Sequence, residues 1–241
     1  MAKQSGLNVR LYVMGNDLSG DANAVDSMGY TQALLETTPL NAAAATRITG
    51  LADGGVTVNG YFDNAANKIH ATFTSNSGKL PTADQVVLIP LNSGVGDPAI
   101  GISAKEADYT VNRSPGSAIT VSSTFTGNGM GGEFGAMLTA HDDTHSSASN
   151  GTAVDNTASS ASGGSGYLQI MSLASGSVTV KIQHSANNST WADLITFTAA
   201  GTSDVPKAQR SEVTGTVNRY LRIASTGTFS NAKIAAQFAR F

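Results

Sequence analysis

The densest cluster of reactive side chains in this 241-residue chain is His141-Asp-Asp-Thr-His145. Imidazoles four positions apart share one face of a helix, and with carboxylates between them they can hold a metal ion. The surrounding Thr, Ser, Ala and Gly supply neither a rigid helix nor the outer hydrogen bonds that orient metal ligands. His141 and His145 are therefore weak metal candidates, with a solvated junction between domains as the alternative. His70 has no partner identifiable from the sequence. His184 ends a strand beside Trp191, where a satisfied imidazole is expected.

Other chemistry finds little footing. No serine lies in a Gly-x-Ser-x-Gly elbow. Gly50 to Gly55 lacks the Lys-Ser/Thr of a phosphate cradle and runs into a strand. The 17 acidic residues show no apolar setting that would raise a carboxyl pKa. There are no cysteines, so disulfides and thiolate metal sites are excluded. No enzymatic activity and no cofactor is expected. The one tryptophan, Trp191, follows the turn Asn187-Asn-Ser-Thr190. With Asn187 and Asn188 it is a candidate glycan contact on an outer surface; alternatively it plugs the end of a β-sandwich.

Composition points away from an isolated soluble enzyme. Charged residues are 13% of the chain, against ~25% in ordinary soluble domains. Such a weakly hydrated surface suits subunits that cover one another, although a secreted β-sandwich would share it. The net charge is −3, and the 14 Lys and Arg are scattered, which argues against tight phosphate binding. No run approaches the ~20 apolar residues of a membrane span. Met1 to Arg10 lacks the apolar core of a signal peptide, so the expected compartment is cytosol-like.

The elements that must carry any function read as β. Leu7 to Val13 alternates and ends at a Gly15-Asn16-Asp17 turn. Asp21 to Leu40 is long and polar, a hairpin or extended arm leaving the body of its domain. Asn41 to Ala45 is expected to form one helical turn. In Arg47-Ile-Thr-Gly-Leu-Ala-Asp-Gly-Gly-Val-Thr-Val-Asn-Gly-Tyr-Phe62, Val56, Val58 and Phe62 point one way. Thr57, Asn59 and Tyr61 point the other, as on a half-buried strand. Asn64 to Asn76 reads as the one helix, with Asp63 or Asn64 as its N-cap. Gln85 to Ile89 reads as a buried strand, followed by Ala99 to Ser103. Ala107 to Asn112 and Ala118 to Phe125 form a hairpin.

The glycine cluster Gly127 to Gly135 predicts a boundary, giving domains 1–130 and 131–241. Ser146 to Ser165 is a linker, or an edge strand at Gly151 to Asp155. Five short strands follow: Tyr167 to Leu173, Ser177 to His184, Trp191 to Phe197, Val217 to Ile223 and Ala232 to Phe238. Their spacing predicts a second β-sandwich or jelly roll.

Ser19-Gly-Asp21, the long polar segment and the Arg47–Phe62 sequence together resemble the major tail tube proteins of long-tailed, mostly non-contractile bacteriophages. That family carries an Arg-x-x-Gly-Leu-x-Asp-Gly segment before a Val-x-Val-x-Gly-Phe/Tyr-Phe strand. Gly163 to Ile170, Val178 to Ser185, Trp191 to Phe197, Asn218 to Ile223 and Phe238 to Phe241 resemble the β-sandwich appended to many such proteins. The resemblance implies a mainly β fold: a tail-tube β-sandwich or barrel with one short helix and a long arm, plus an Ig-like or jelly-roll sandwich facing outward.

It also implies partners. Copies of the chain would form hexameric rings stacked around a tape-measure (ruler) protein and closed by a tail terminator. Double-stranded DNA would pass through the bore without tight binding, in a virion tail assembled in the host cytoplasm. Asp21, Tyr30, Leu34, Leu35 and Leu40 would contact neighbouring subunits, and Val56, Thr57, Val58, Asn59 and Tyr61 would build the inner sheet. A carbohydrate-binding or capsid-decoration protein of the virion surface is the alternative.

Overall fold

The computed structural model describes residues 9–75, 77–129, 131–141 and 143–241. The start of the expected Leu7 strand, Asn76, Met130 of the glycine cluster and Asp142 of the histidine cluster lie outside them. Strand accounts for 57% of the fold and helix for 2%, a mainly β protein. The first half contains β1 (Tyr12–Val13), β2 (Asn16–Asp17), β3 (Ala22–Glu36) and β4 (Arg47–Tyr61). Helix α1 (Ile69–Phe73), β5 (Gln85–Pro90), β6 (Pro98–Asn112) and β7 (Thr120–Gly127) follow. The second half runs from β8 (Glu133–Met137) through the short β9 (Thr144–His145), β10 (Ser149–Asn150) and β11 (Val154–Asp155) to β12 (Gly164–Ser185). It ends with β13 (Ala192–Thr196), β14 (Ala200–Gly201), β15 (Lys207–Val213), β16 (Tyr220–Thr226) and β17 (Phe229–Arg240).

Two apolar cores organise these strands. One gathers Leu11, Val13, Val56, Val58, Ile69, Phe73, Val87, Ile102 and Phe125. The other gathers Leu168, Ile182, Ile195, Leu221, Ile223, Ile234 and Phe238. Hydrogen bonding nevertheless runs through both halves, because β6 pairs with β8, β8 with β17 and β17 with β12. A third cluster of Tyr12, Leu88, Ala99, Met137 and Ala235 seals the joint. β17 is consequently buried from Ile234 to Ala239 on both faces.

Buried amides tie the joint as well. Gln169 accepts from the Gly15 N–H (2.6 Å) and donates to the Val86 carbonyl (2.9 Å). Gln237 donates to the Glu133 carbonyl at 2.9 Å. Gly101 has to be glycine, since an added Cβ would lie 2.6 Å from the Tyr167 ring.

Several sequence expectations need correction. Ala99–Ser103 and Ala107–Asn112 are one strand, β6, which passes a bulge at Glu106/Asp108 without breaking. The expected strands at Tyr167–Leu173 and Ser177–His184 are likewise one 22-residue strand, β12. Its first part pairs with β15 and β17, and its last part with β13 and β16. It thereby bends from one sheet of the second half into the other. The helix covers only Ile69 to Phe73, and its N-cap is Lys68 rather than Asp63 or Asn64. Asp63 instead accepts from the Ala65 N–H in a turn. Asn41–Ala45 forms no helical turn; it is the bend joining β3 to β4. Ser146–Ser165 holds β10 and β11, both paired with β16. β15 has no counterpart in the sequence reading.

Candidate assembly surface

Two surfaces stand out, and both are built around β4. The first is a sheet face. β7 covers β4 only from Gly55 to Tyr61, β3 pairs along the other edge, and β6 pairs with β7. Alternation puts Val56 and Val58 into the core at 3% and 0% exposure. Phe62, just beyond the strand, packs against the same core. The opposite face carries Thr57, Asn59 and Tyr61 of β4, level with Thr124, Ser122 and Thr120 of β7. Asp108, Thr110 and Asn112 of β6 continue these rows, and Asp26 of β3 lies opposite Thr57. Asn59 donates to Asp26 at 2.8 Å. The result is a four-stranded face of hydroxyls and amides. Lys105 of β6, opposite Thr126 at one end of this face, is tied to Asp84 at 2.7 Å.

The second surface is the overhang of the β3–β4 hairpin. Residues 47–54 of β4 extend past the end of β7, a projection of about 25 Å at ~3.3 Å per residue. Tyr30 (56% exposed), Leu34 (64%), Leu35 (53%), Leu40 (110%), Ile48 (54%) and Leu51 (89%) are on it, half of the twelve exposed large apolar side chains among the described residues. Leu35 faces Ile48 across the ladder and Leu34 faces Thr49, so both sides of the ribbon carry apolar groups. Phe134, 52% exposed, stacks on Tyr30 at its root with ring centroids 6.4 Å apart. Exposed apolar groups on both sides of one ribbon are a feature that contact sites share. The outer edge of β3 pairs with no strand among the described residues, and bulges interrupt its register. Asp21 does not belong to this surface. It is buried at 8% exposure, bonded to Lys68 (3.2 Å) and to the Ile69 N–H (3.3 Å). Its carboxylate thus takes up a free donor at the start of α1.

The residues singled out for chemistry have the following surroundings. His145 Nδ1 lies 2.8 Å from Ser225 Oγ and 2.9 Å from Ser149 Oγ, and its Nε2 is 3.5 Å from Asp143. The His141 carbonyl accepts from the Tyr12 hydroxyl. Among the described residues no group of three or more metal-ligating side chains converges. His70 meets Tyr109 at 2.9 Å. His184 accepts from the Asn218 N–H at 3.3 Å, and burial together with the Arg240 charge lowers its pKa. Trp191 is half-buried beneath the Arg222 guanidinium, 4.1 Å from the ring centroid. Asn187 spends its side-chain oxygen on the Ser189 and Thr190 N–H groups, and Asn188 is exposed in the left-handed region (φ 59°).

Two buried acids escaped the sequence reading. Glu106 faces the first core, bonded to Ser123 at 2.8 Å; burial first, and then Asp108, push its pKa up to about 8. The expectation that no carboxyl sits in such a setting is thereby corrected. Tyr109 beside it is pushed up to about 12 by burial and by Glu106. Glu133 meets Arg210 at 2.7 Å, and also the Tyr167 and Ser165 hydroxyls. No local motif joins these four residues; only the fold does.

No family model and no curated protein matches the sequence. Solved structures do. A chain described as the virion of a native gene transfer agent particle is 14% identical over 55% of this chain and 98% of its own, with TM-score 0.41. The anti-feeding prophage tube-terminating cap is 9% identical over 56% and 95%, with TM-score 0.44. The SPP1 Dit protein, described as a hub adsorption apparatus of phages infecting Gram-positive bacteria, is 11% identical over 97% and 99%, with TM-score 0.38.

Proposed function

We propose that this chain is a structural subunit of a bacteriophage tail tube, non-enzymatic, which assembles through itself into stacked hexameric rings around a hollow conduit. The observation that carries the reading is the pairing of two unlike surfaces on β4. An apolar hairpin overhang needs cover, while a hydroxyl and amide face needs none. The overhang, from Tyr30 to Leu51, contacts neighbouring copies. The face of Thr57, Asn59, Tyr61, Ser122 and Thr124 lines the bore.

A conduit for a polyanion works best when its wall neither binds phosphate nor repels it strongly. A wall of hydroxyls and amides with Asp26 and Asp108 and no free cation among its rows has that character. The ribbon's two apolar sides suit burial between copies, since a lone hairpin gains nothing from exposing them. The sequence resemblance to tail tube proteins supports the same assignment. On this reading the subunit belongs to a virion tail, with a tape-measure protein inside the bore, a terminator at its end and DNA passing through. Residues 131–241 form the outward-facing unit.

Negative-stain electron microscopy of the purified protein tests this reading. Stacked rings with a stain-filled centre are expected. Uniform monomers at every concentration and ionic condition would refute it.

A further inference from the structure

The bulge in β6 turns one carboxyl inward and its neighbour outward. Phe125 stands opposite Glu106 and Thr124 opposite Asp108, so Ala107 is the extra residue. Ala107 and Asp108 are both exposed, whereas Glu106 faces the first core. Side chains tie β6 to β7 at this point. The Thr124 N–H donates to Asp108 Oδ1 at 2.9 Å. Ser123 Oγ lies 2.8 Å from Glu106 Oε1 and also 2.8 Å from the Asp108 carbonyl oxygen. Both contacts are direct and buried, with Ser123 at 0% exposure and Glu106 at 6%.

The hydrogens available at Ser123 fix the state of Glu106. A hydroxyl has one proton to donate, and a carbonyl oxygen has none. With an ionised Glu106, two acceptors would share that single proton, and one close pair of oxygens would have no hydrogen between them. Both contacts are made only when Glu106 brings a proton of its own. The surroundings act in the same direction, since burial and the Asp108 charge push its pKa up to about 8. The other titratable groups around it are Tyr109 on its own strand and His70 of α1, which meets Tyr109 at 2.9 Å. Asp21 and Lys68, at the start of α1, are paired with each other. The other segments around this core supply Leu11, Val25, Val58, Val87 and Phe125, none of which can carry a charge.

We infer that Glu106 is a proton-binding site that controls the β6 bulge: the bound proton is donated to Ser123, Ser123 donates to the Asp108 carbonyl, and this chain holds Asp108 in place on the exposed face of the sheet. The proton is held at low and neutral pH and leaves as the pH rises. Ser123 then has one proton for two acceptors, and a buried carboxylate stands two residues from Asp108. Like charges on either side of a bulge loosen it, and the Thr124 N–H loses its fixed acceptor. The proton site is a property of a single chain. Only its consequence for the bore wall, a change in the position of Asp108, rests on the tube reading above.

The chain has four glutamates, Glu36, Glu106, Glu133 and Glu212, so isotope labelling of glutamate carboxyls gives four NMR signals from unassembled subunits. One signal, missing from Glu106→Gln, should keep the position of a protonated acid at pH 6 and titrate well above the other three. Hydrogen exchange at the Thr124 N–H, corrected for the intrinsic effect of pH, reads the bulge. Between pH 6 and pH 9.5 its protection should fall about tenfold or more in wild type, and further than that of Leu88 in the buried strand β5. In Glu106→Gln, whose side-chain N–H groups donate to Ser123 at every pH, the two amides should keep their relative protection. Four glutamates titrating together in the ordinary carboxylate range would overturn the proton site, whether or not the protein forms tubes. A protonated Glu106 with equal falls at Thr124 and Leu88 would show a loss of overall stability alone, and would overturn control of the bulge. Both of these readings come from the wild-type protein and stand even if the variant does not fold.

Discussion

Replacing Glu106 with glutamine should remove a pH dependence that the fold builds in. The carboxyl lies on the core side of β6, bonded to Ser123, with its pKa raised from 4.5 to about 8. A folded-state pKa above the unfolded value means that the folded protein holds this proton more tightly. Stability from this group is therefore complete below pH 4.5, falls as pH rises, and levels off above about 8. Three and a half units at ~1.4 kcal/mol each set an upper bound of roughly 5 kcal/mol. Solvent access at the carboxyl's edge brings the expected loss to about 2–4 kcal/mol. For a chain of this length that is roughly 5–15 °C in Tm. Thermal unfolding of both proteins from pH 5 to pH 8.5 is the assay. The difference between them cancels every other titrating group. Glu106→Gln should match wild type near pH 5 and become the more stable protein by pH 8. Parallel curves across the range would refute the burial argument.

Three further outcomes follow from the same contacts. Replacing residues 32–52 with an Asn-Gly turn, which closes the hairpin where β7 ends, should leave folded subunits that no longer polymerise; sedimentation velocity reads this, and normal tubes would exclude the overhang from assembly. Arg210→Met should cost about 3–5 kcal/mol by urea unfolding, because it strands the Glu133 carboxylate, whose side chain is 5% exposed. Trp191→Ala should lower stability by about 1–3 kcal/mol through lost packing and the lost Arg222 stack, with assembly and glycan-array signals unchanged; a lost glycan signal would assign Trp191 to carbohydrate recognition.

Legibility followed the range of the interaction. The alternation of Val56 to Tyr61 and the apolar run Gln85 to Ile89 depend on one face meeting one core, and both could be read directly. Strand ends could not, because glycines and polar residues that look like turns act here as bulges. β6 runs through Glu106/Asp108, and β12 runs through Gly176, which bends at φ 81°. β15, Lys207-Ala-Gln-Arg-Ser-Glu-Val213, has no apolar period and is held by pairing with β12. The helix shrank to the five residues that Gly60, Phe125 and Tyr109 cover. Asp21 reads as the start of an arm because its partners, Lys68 and Ile69, lie more than forty residues away. Glu133, Tyr167 and Arg210 are brought together only once β8, β12 and β15 are in place.

The central claim is that the hydroxyl and amide face of β4 and β7 lines an enclosed bore. Thr126→Cys lies on that face and Ser203→Cys is an exposed position between β14 and β15 of the second half, each as the sole thiol of the chain. Assembled particles are treated with a small maleimide or with a maleimide carried on a bulky protein. Inside a tube, Thr126→Cys should react with the small reagent alone, whereas Ser203→Cys should react with both. Equal reaction of Thr126→Cys with the bulky reagent in intact assemblies would contradict the account.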